Sequence, residues 1–144
     1  MTNKDYTKTF EVEKSPEEVF KIIKNVRGWW SGLYDEEFEG DSEKTGDEFT
    51  FRAGNGAHYS KQKITELIPD KKIVWLVTES NLSFLEKPAE WKGTKISFDL
   101  SKEKNKTKVV FTHEGLTPQI ECYNSCAPAW TQYLEEKFLM LINK

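Results

Sequence analysis

Cysteine, histidine, methionine and arginine are all scarce in this sequence, with two of each among 144 residues. Two cysteines are too few for a disulfide framework, and Cys122 and Cys126 lack the paired spacings of a structural zinc centre. Four residues apart on a helix, they are awkwardly aimed for a disulfide, so free, buried packing residues are the expectation. No nucleophile sits in a G-x-S-x-G context, and neither a phosphate loop nor an H-E-x-x-H pair occurs. Catalysis therefore lacks support from motifs, and no catalytic residue, metal or cofactor is expected. Long apolar runs are missing too. Stretches such as Ile73 to Val77 are far too short to cross a bilayer. Nor does the opening Met1-Thr2-Asn3-Lys4-Asp5 hold the apolar core of a signal peptide, so a cytoplasmic protein without membrane insertion is expected.

Positive charge is not in excess. The formal net charge is −3, and Lys102, Lys104, Lys106 and Lys108 cluster without interleaved aromatics, which argues against nucleic-acid binding. Asp35 to Glu48 carries eight acids against the single Lys44. Such a run reads either as an acidic docking edge or, more simply, as solvated loops and a guarded sheet edge.

Aromatic side chains are abundant: nine Phe, five Trp and five Tyr. Rings bury the most area per residue, so an apolar total of 37% still builds a core for one domain over residues 1–144. Tyr6 to Glu13 alternates as a half-buried strand. Ser15, Pro16 and Glu18 then form a helix start with a capping box, and Val19, Phe20, Ile23 and Val26 give that helix its buried face. Gly28 to Gly32 reads as a turn or a second helical piece. From residue 36 the periodicity becomes alternating, with Phe49 and Phe51 on one face, a hairpin turn at Asn55-Gly56 and a strand from His58 to Ile68. Pro69 to Lys72 turns the chain again. Ile73 to Thr78 is apolar enough to lie centrally, residues 79–91 form an irregular connection, and strands follow at Thr94 to Ser101 and Thr107 to Glu114.

The last third is the most telling. Tyr123, Cys126, Ala127, Trp130, Leu134, Phe138 and Leu141 recur at spacings of three and four, which predicts one broad buried face on a terminal helix. So large a stripe needs a curved sheet to lie in, and a pocket tends to open between the two. Pro128 falls inside this helix, and a kink or break is expected near Asn124 to Pro128. The whole reads as one α+β domain.

Several segments together resemble the SRPBCC, or START-like, superfamily, and within it the branch named for activators of the heat-shock-protein-90 ATPase. They are Ser15 to Phe20, Arg27-Gly28-Trp29-Trp30, His58-Tyr59-Ser60, Val74 to Val77, Trp91 to Thr94, Phe111 to Leu116, and Glu121-Cys122-Tyr123 with Cys126 and Trp130. The resemblance implies a helix-grip fold: a curved antiparallel sheet wrapped around a long C-terminal helix, with a short helix pair after the first strand and a hydrophobic cavity. Members mostly bind or carry small apolar molecules, and a minority are polyketide cyclases or aromatases. Two departures stand out. Pro128 replaces the small or polar residues usual at its position, and the asparagine- and tryptophan-rich motif of the second domain in eukaryotic chaperone activators has no counterpart here.

The expected function is binding of a small hydrophobic or amphipathic molecule between the sheet and the terminal helix. Phe49, Phe51, Trp75, Phe98, Phe111 and Trp130 are expected as walls, Trp30 as a lid, and His113, Arg52 and His58 as polar contacts. The alternatives are a cochaperone-like module that stimulates a chaperone ATPase, and an enzyme using His58, His113 and Glu66 on an aromatic substrate. A monomer or weak homodimer is expected.

Overall fold

A computed structural model describes residues 5–142 of the chain. The first strand, β1 (Tyr6–Val12), buries Phe10 and Val12 and leaves alternate residues outside. Next comes α1 (Pro16–Lys24), which begins as the sequence predicts. The Ser15 hydroxyl accepts from the Glu18 amide at 3.2 Å, the Glu18 carboxylate accepts from the Ser15 amide, and Pro16 occupies the first turn. One turn of helix, α2 (Val26–Trp29), follows and delivers two tryptophans to the interior. The Trp29 indole donates to the Ile23 carbonyl at 3.1 Å, which satisfies its one polar atom inside the core.

Six further strands complete one antiparallel sheet: β2 (Glu37–Gly40), β3 (Glu48–Ala53), β4 (His58–Ile68), β5 (Lys72–Leu82), β6 (Lys95–Glu103) and β7 (Lys106–Glu114). Their order is β1-β7-β6-β5-β4-β3-β2, so the apolar β5 is central, as its composition predicts. Strand β5 runs to Leu82, four residues beyond the expected end, because residues 79–82 continue to pair with 58–61 after a shift in register. That shift and a second one between Ile64 and Glu66 are bulges, which bend a strand and increase its twist. They curl the sheet so that its concave face carries Phe49, Phe51, Ile64, Trp75, Phe98 and Phe111.

The terminal helix lies across that face. It starts with α3 (Tyr123–Tyr133), widens into a π-helical stretch at Leu134–Phe138, and ends in α4 (Leu139–Ile142). The break expected near Pro128 is not there: α3 runs through the proline. The acceptor that Pro128 leaves unfilled is the carbonyl of Asn124, an exposed residue, so water can take the missing donor's place. The irregularity instead falls one to two turns later. There a π-helical stretch carries the buried Leu134 and Phe138.

The volume beneath the middle of this helix is solid. Trp29 packs against Trp75, Phe98 and Phe138, and Phe98 packs against Phe111 with ring centres 5.0 Å apart.

Candidate functional site: a pocket at the open end of the grip

Space remains at one end of the sheet, where two loops and the first half of α3 meet. A pocket of about 330 Å³ is lined there by Trp30, Phe51, His58, Trp91 and Trp130, by the rim residues Tyr34 and Phe84, and by Tyr133. Its remaining lining is small: Ala53, Gly54 and Ala57 from the β3–β4 hairpin, and Ser125, Cys126 and Ala129 from α3. Small side chains facing one another across the hairpin and helix explain why a void persists here, while bulky rings fill the centre.

Flat aromatic surfaces dominate. Trp30 stacks on Phe51 with centroids 4.0 Å apart and on Trp130 at 4.9 Å. Trp130 is in turn parallel to Trp91 at 6.0 Å. Two exposed rings stand at the mouth, Tyr34 at 45% and Phe84 at 50% exposure.

Each rim loop is tied down by carboxylates that accept backbone amides. Glu36 takes the amides of Gly32, Leu33 and Tyr34 together with the Tyr133 hydroxyl. Burial alone would raise its carboxyl, but those bonds outweigh burial and hold it below the ordinary value. Burial and the same carboxylate push the Tyr133 hydroxyl up, so it stays a donor. On the other side Glu121 accepts from the amides of Glu86 and Lys87, and Glu90 accepts from those of Glu121 and Cys122. Within the acidic run at 35–48, Glu36 and Asp47 thus shape loops, Asp47 by accepting the amides of Glu43 and Lys44.

The two histidines have different environments. His113 is fully buried and fully used. Its Nδ1 accepts from the Trp130 indole at 3.0 Å, which places its proton on Nε2. Nε2 donates to the Thr94 hydroxyl at 2.8 Å, and that hydroxyl donates to the Trp91 carbonyl. Burial, with a lesser contribution from His58, lowers its pKa to about 3. His58, in contrast, lies in the pocket wall, with its Nε2 buried and without a hydrogen-bond partner. Burial lowers its pKa to about 4, so at neutral pH it is an uncharged imidazole. Both rings meet the Trp91 indole edge-on, at 4.7 and 4.6 Å.

Of the residues singled out from the sequence, the structure thus brings Trp30, Phe51, His58 and Trp130 together around one space. Phe49, Trp75, Phe98, Phe111 and His113 pack into the solid core behind it. Arg52 lies on the convex face, its guanidinium 4.5 Å from the Tyr59 ring, because strand alternation sends it away from Phe51. Glu66 is exposed, turned outward after the second bulge, and does not converge with either histidine.

Two pocket features escaped the sequence reading. Trp91 is one, since it sits in an irregular loop where no periodicity marks a face. The cysteines are the other. They are bonded to each other, which corrects the expectation of free packing residues. Cys122 caps α3 with an αR backbone and its carbonyl accepts the Cys126 amide, so one helical turn sets the two Cα atoms 5.6 Å apart, within disulfide reach. Among the described residues, no group of three or more His, Cys, Asp and Glu could hold a metal ion, and no helix is long and apolar enough to cross a membrane.

The sequence model of the family described as "Activator of Hsp90 ATPase homolog 1-like protein" matches residues 13–140. No curated protein matches the chain. Among solved structures, the Aha1 dimer from Colwellia psychrerythraea is similar at 25% identity and a TM-score of 0.72, over 97% of this chain and 94% of that one. A Chromobacterium violaceum protein is similar in fold at 15% identity and TM-score 0.69, over 99% of both chains. A Mesorhizobium loti protein is similar in fold at 16% identity and TM-score 0.69, over 94% of this chain and 96% of its own.

Proposed function

Because this chain belongs to the Activator of Hsp90 ATPase homolog 1-like family, within the SRPBCC superfamily, we propose that it binds a small, flat, largely apolar molecule in the pocket at the open end of the grip. The molecule lies against the rings of Trp30, Phe51, Trp91 and Trp130 that line the cavity and presents one polar group toward the His58 ring. The observation that carries this reading is a largely aromatic cavity lined by one neutral imidazole, His58, whose buried Nε2 has no hydrogen-bond partner. A buried polar atom without a partner costs free energy, and a ligand hydroxyl recovers it whichever tautomer the ring adopts. At about 330 Å³ the pocket lies near the lower end of ligand sites, which favours a compact ring system.

Paired probes test it. 1-Naphthol and 1-methylnaphthalene share a shape and differ in one hydroxyl, and tryptophan fluorescence reports binding of either. His58→Phe is expected to weaken 1-naphthol about tenfold, the worth of one hydrogen bond, and to leave the hydrocarbon unchanged. Trp30→Ala weakens both. If neither probe binds the native protein, and native mass spectrometry of freshly purified material finds no copurifying molecule, the reading fails.

A second reading, stimulation of a chaperone ATPase, has support in the family's description and in the name of the Colwellia relative. An ATPase assay with the chaperone decides it: an unchanged rate at saturating protein removes this reading. The enzyme alternative loses ground, since Glu66 is exposed and His113 has both nitrogens occupied.

A further inference from the structure

The disulfide in the pocket wall is asymmetric. Cys126 lines the cavity, whereas Cys122 is fully buried behind it. Cys122 Sγ accepts a hydrogen bond from the Trp91 indole at 3.1 Å, and its backbone amide is held by Glu90. Cys126 thus borders the cavity, and the Trp91 N–H stands against the sulfur of Cys122.

We propose that Cys122 and Cys126 form an exchangeable dithiol–disulfide couple, with low-molecular-weight thiols and disulfides as its substrates and the pocket as their route to Cys126. An incoming thiolate attacks Cys126 Sγ, the Cys122–Cys126 bond breaks, and its electron pair leaves on Cys122 Sγ. The Trp91 N–H stabilises that thiolate, and a charge-assisted bond of this kind lowers the basicity of a leaving thiol and speeds its departure. A second small thiolate then attacks the mixed disulfide at the small molecule's sulfur and releases Cys126. In sum, two small thiols become one small disulfide, and the protein disulfide takes up their two electrons and, once both thiolates are protonated, their two protons. The reverse sequence reoxidises the pair with a small disulfide.

Exchange rests on the same cavity as the binding reading but needs no resident ligand. The test uses Cys122→Ser and Cys126→Ser in the full chain with 4,4′-dithiodipyridine, a neutral aromatic disulfide whose released thiopyridone is read by absorbance. Cys126 in the first variant is expected to react at least about tenfold faster than Cys122 in the second, since thiol reactivity follows access. Wild-type protein supplies an arm that does not depend on either variant folding. Purified in air, it should contain no free thiol, and brief glutathione treatment followed by acid quench and peptide mapping should place the adduct on Cys126. Free thiols in that sample, equal rates in the two variants, an adduct on Cys122 or an inert disulfide each overturn the proposal. Exchange without binding of either naphthalene probe would keep this inference and end the binding reading, and the opposite pattern would do the reverse.

Discussion

Acidification should unfold this protein through its two histidines, and the size of the effect follows from their burial. In the unfolded chain each titrates near the ordinary 6.5, while folding lowers His58 to about 4 and His113 to about 3. A depressed value means the unfolded chain binds more protons, so stability falls as pH falls below 6.5 and is fully present above it. At pH 5 the folded form of each ring is still almost wholly neutral and the unfolded form is almost wholly charged. Each histidine then contributes a loss of about 2 kcal/mol, from roughly 1.5 pH units at 1.36 kcal/mol per unit. The pair together removes about 4 kcal/mol between pH 7.5 and pH 5, a large share of the 5–15 kcal/mol of an ordinary domain. Urea denaturation followed by tryptophan fluorescence at half-unit pH steps measures it. His58→Phe should remove about half of the pH dependence, because that site no longer titrates. A stability curve that is flat from pH 7.5 to 5 would refute the placement of two neutral, buried imidazoles.

Three further outcomes follow from single contacts. Trp130→Phe keeps a ring in the pocket but leaves His113 Nδ1 without its donor, and should cost about 1–3 kcal/mol in urea denaturation. Glu36→Gln weakens the carboxylate that gathers the amides of residues 32–34 and the Tyr133 hydroxyl. It should lower stability by about 1–2 kcal/mol and speed amide hydrogen exchange in that rim loop. Gly115→Ala combines a positive φ of 102° with a Cβ that would lie 2.7 Å from Thr94 Cγ2. It should cost about 2–3 kcal/mol by the same denaturation assay, since backbone strain and a clash act together.

What was legible in the sequence is what local chemistry dictates. The capping box at Ser15 and Glu18, the alternation through Phe49 and Phe51, the central placement of Ile73 to Val77 and the aromatic stripe of the last helix each depend on near neighbours. The structure reproduces the first three in full and the stripe from Cys126 to Phe138, with Tyr123 and Leu141 only partly buried. His113 was correctly put on the same face as Val109 and Phe111, since a regular strand alternates faces. Arg52 follows the same rule, which sets it opposite Phe51. Pro128 misled because a proline's cost depends on what its missing donor leaves behind, and here that is an exposed residue. The cysteines differ from expectation because the first turn of α3 sets their Cα atoms 5.6 Å apart, inside the disulfide range, a distance that spacing alone does not supply.

By itself, then, the sequence determined the elements, the inward faces and the family, because hydrophobic periodicity and capping act over a few residues. Only the tertiary structure decided where the grip is solid and where it is open. That depends on which rings meet across the sheet: Trp29 fills the centre against Trp75 and Phe98, while Ala53, Ala57, Ser125 and Ala129 meet at one end and leave a void. It decided too that one histidine is sealed by an indole and a threonine while the other lines the pocket with its Nε2 buried and unpaired. Those partners are far apart in the chain, and only folding brings them together.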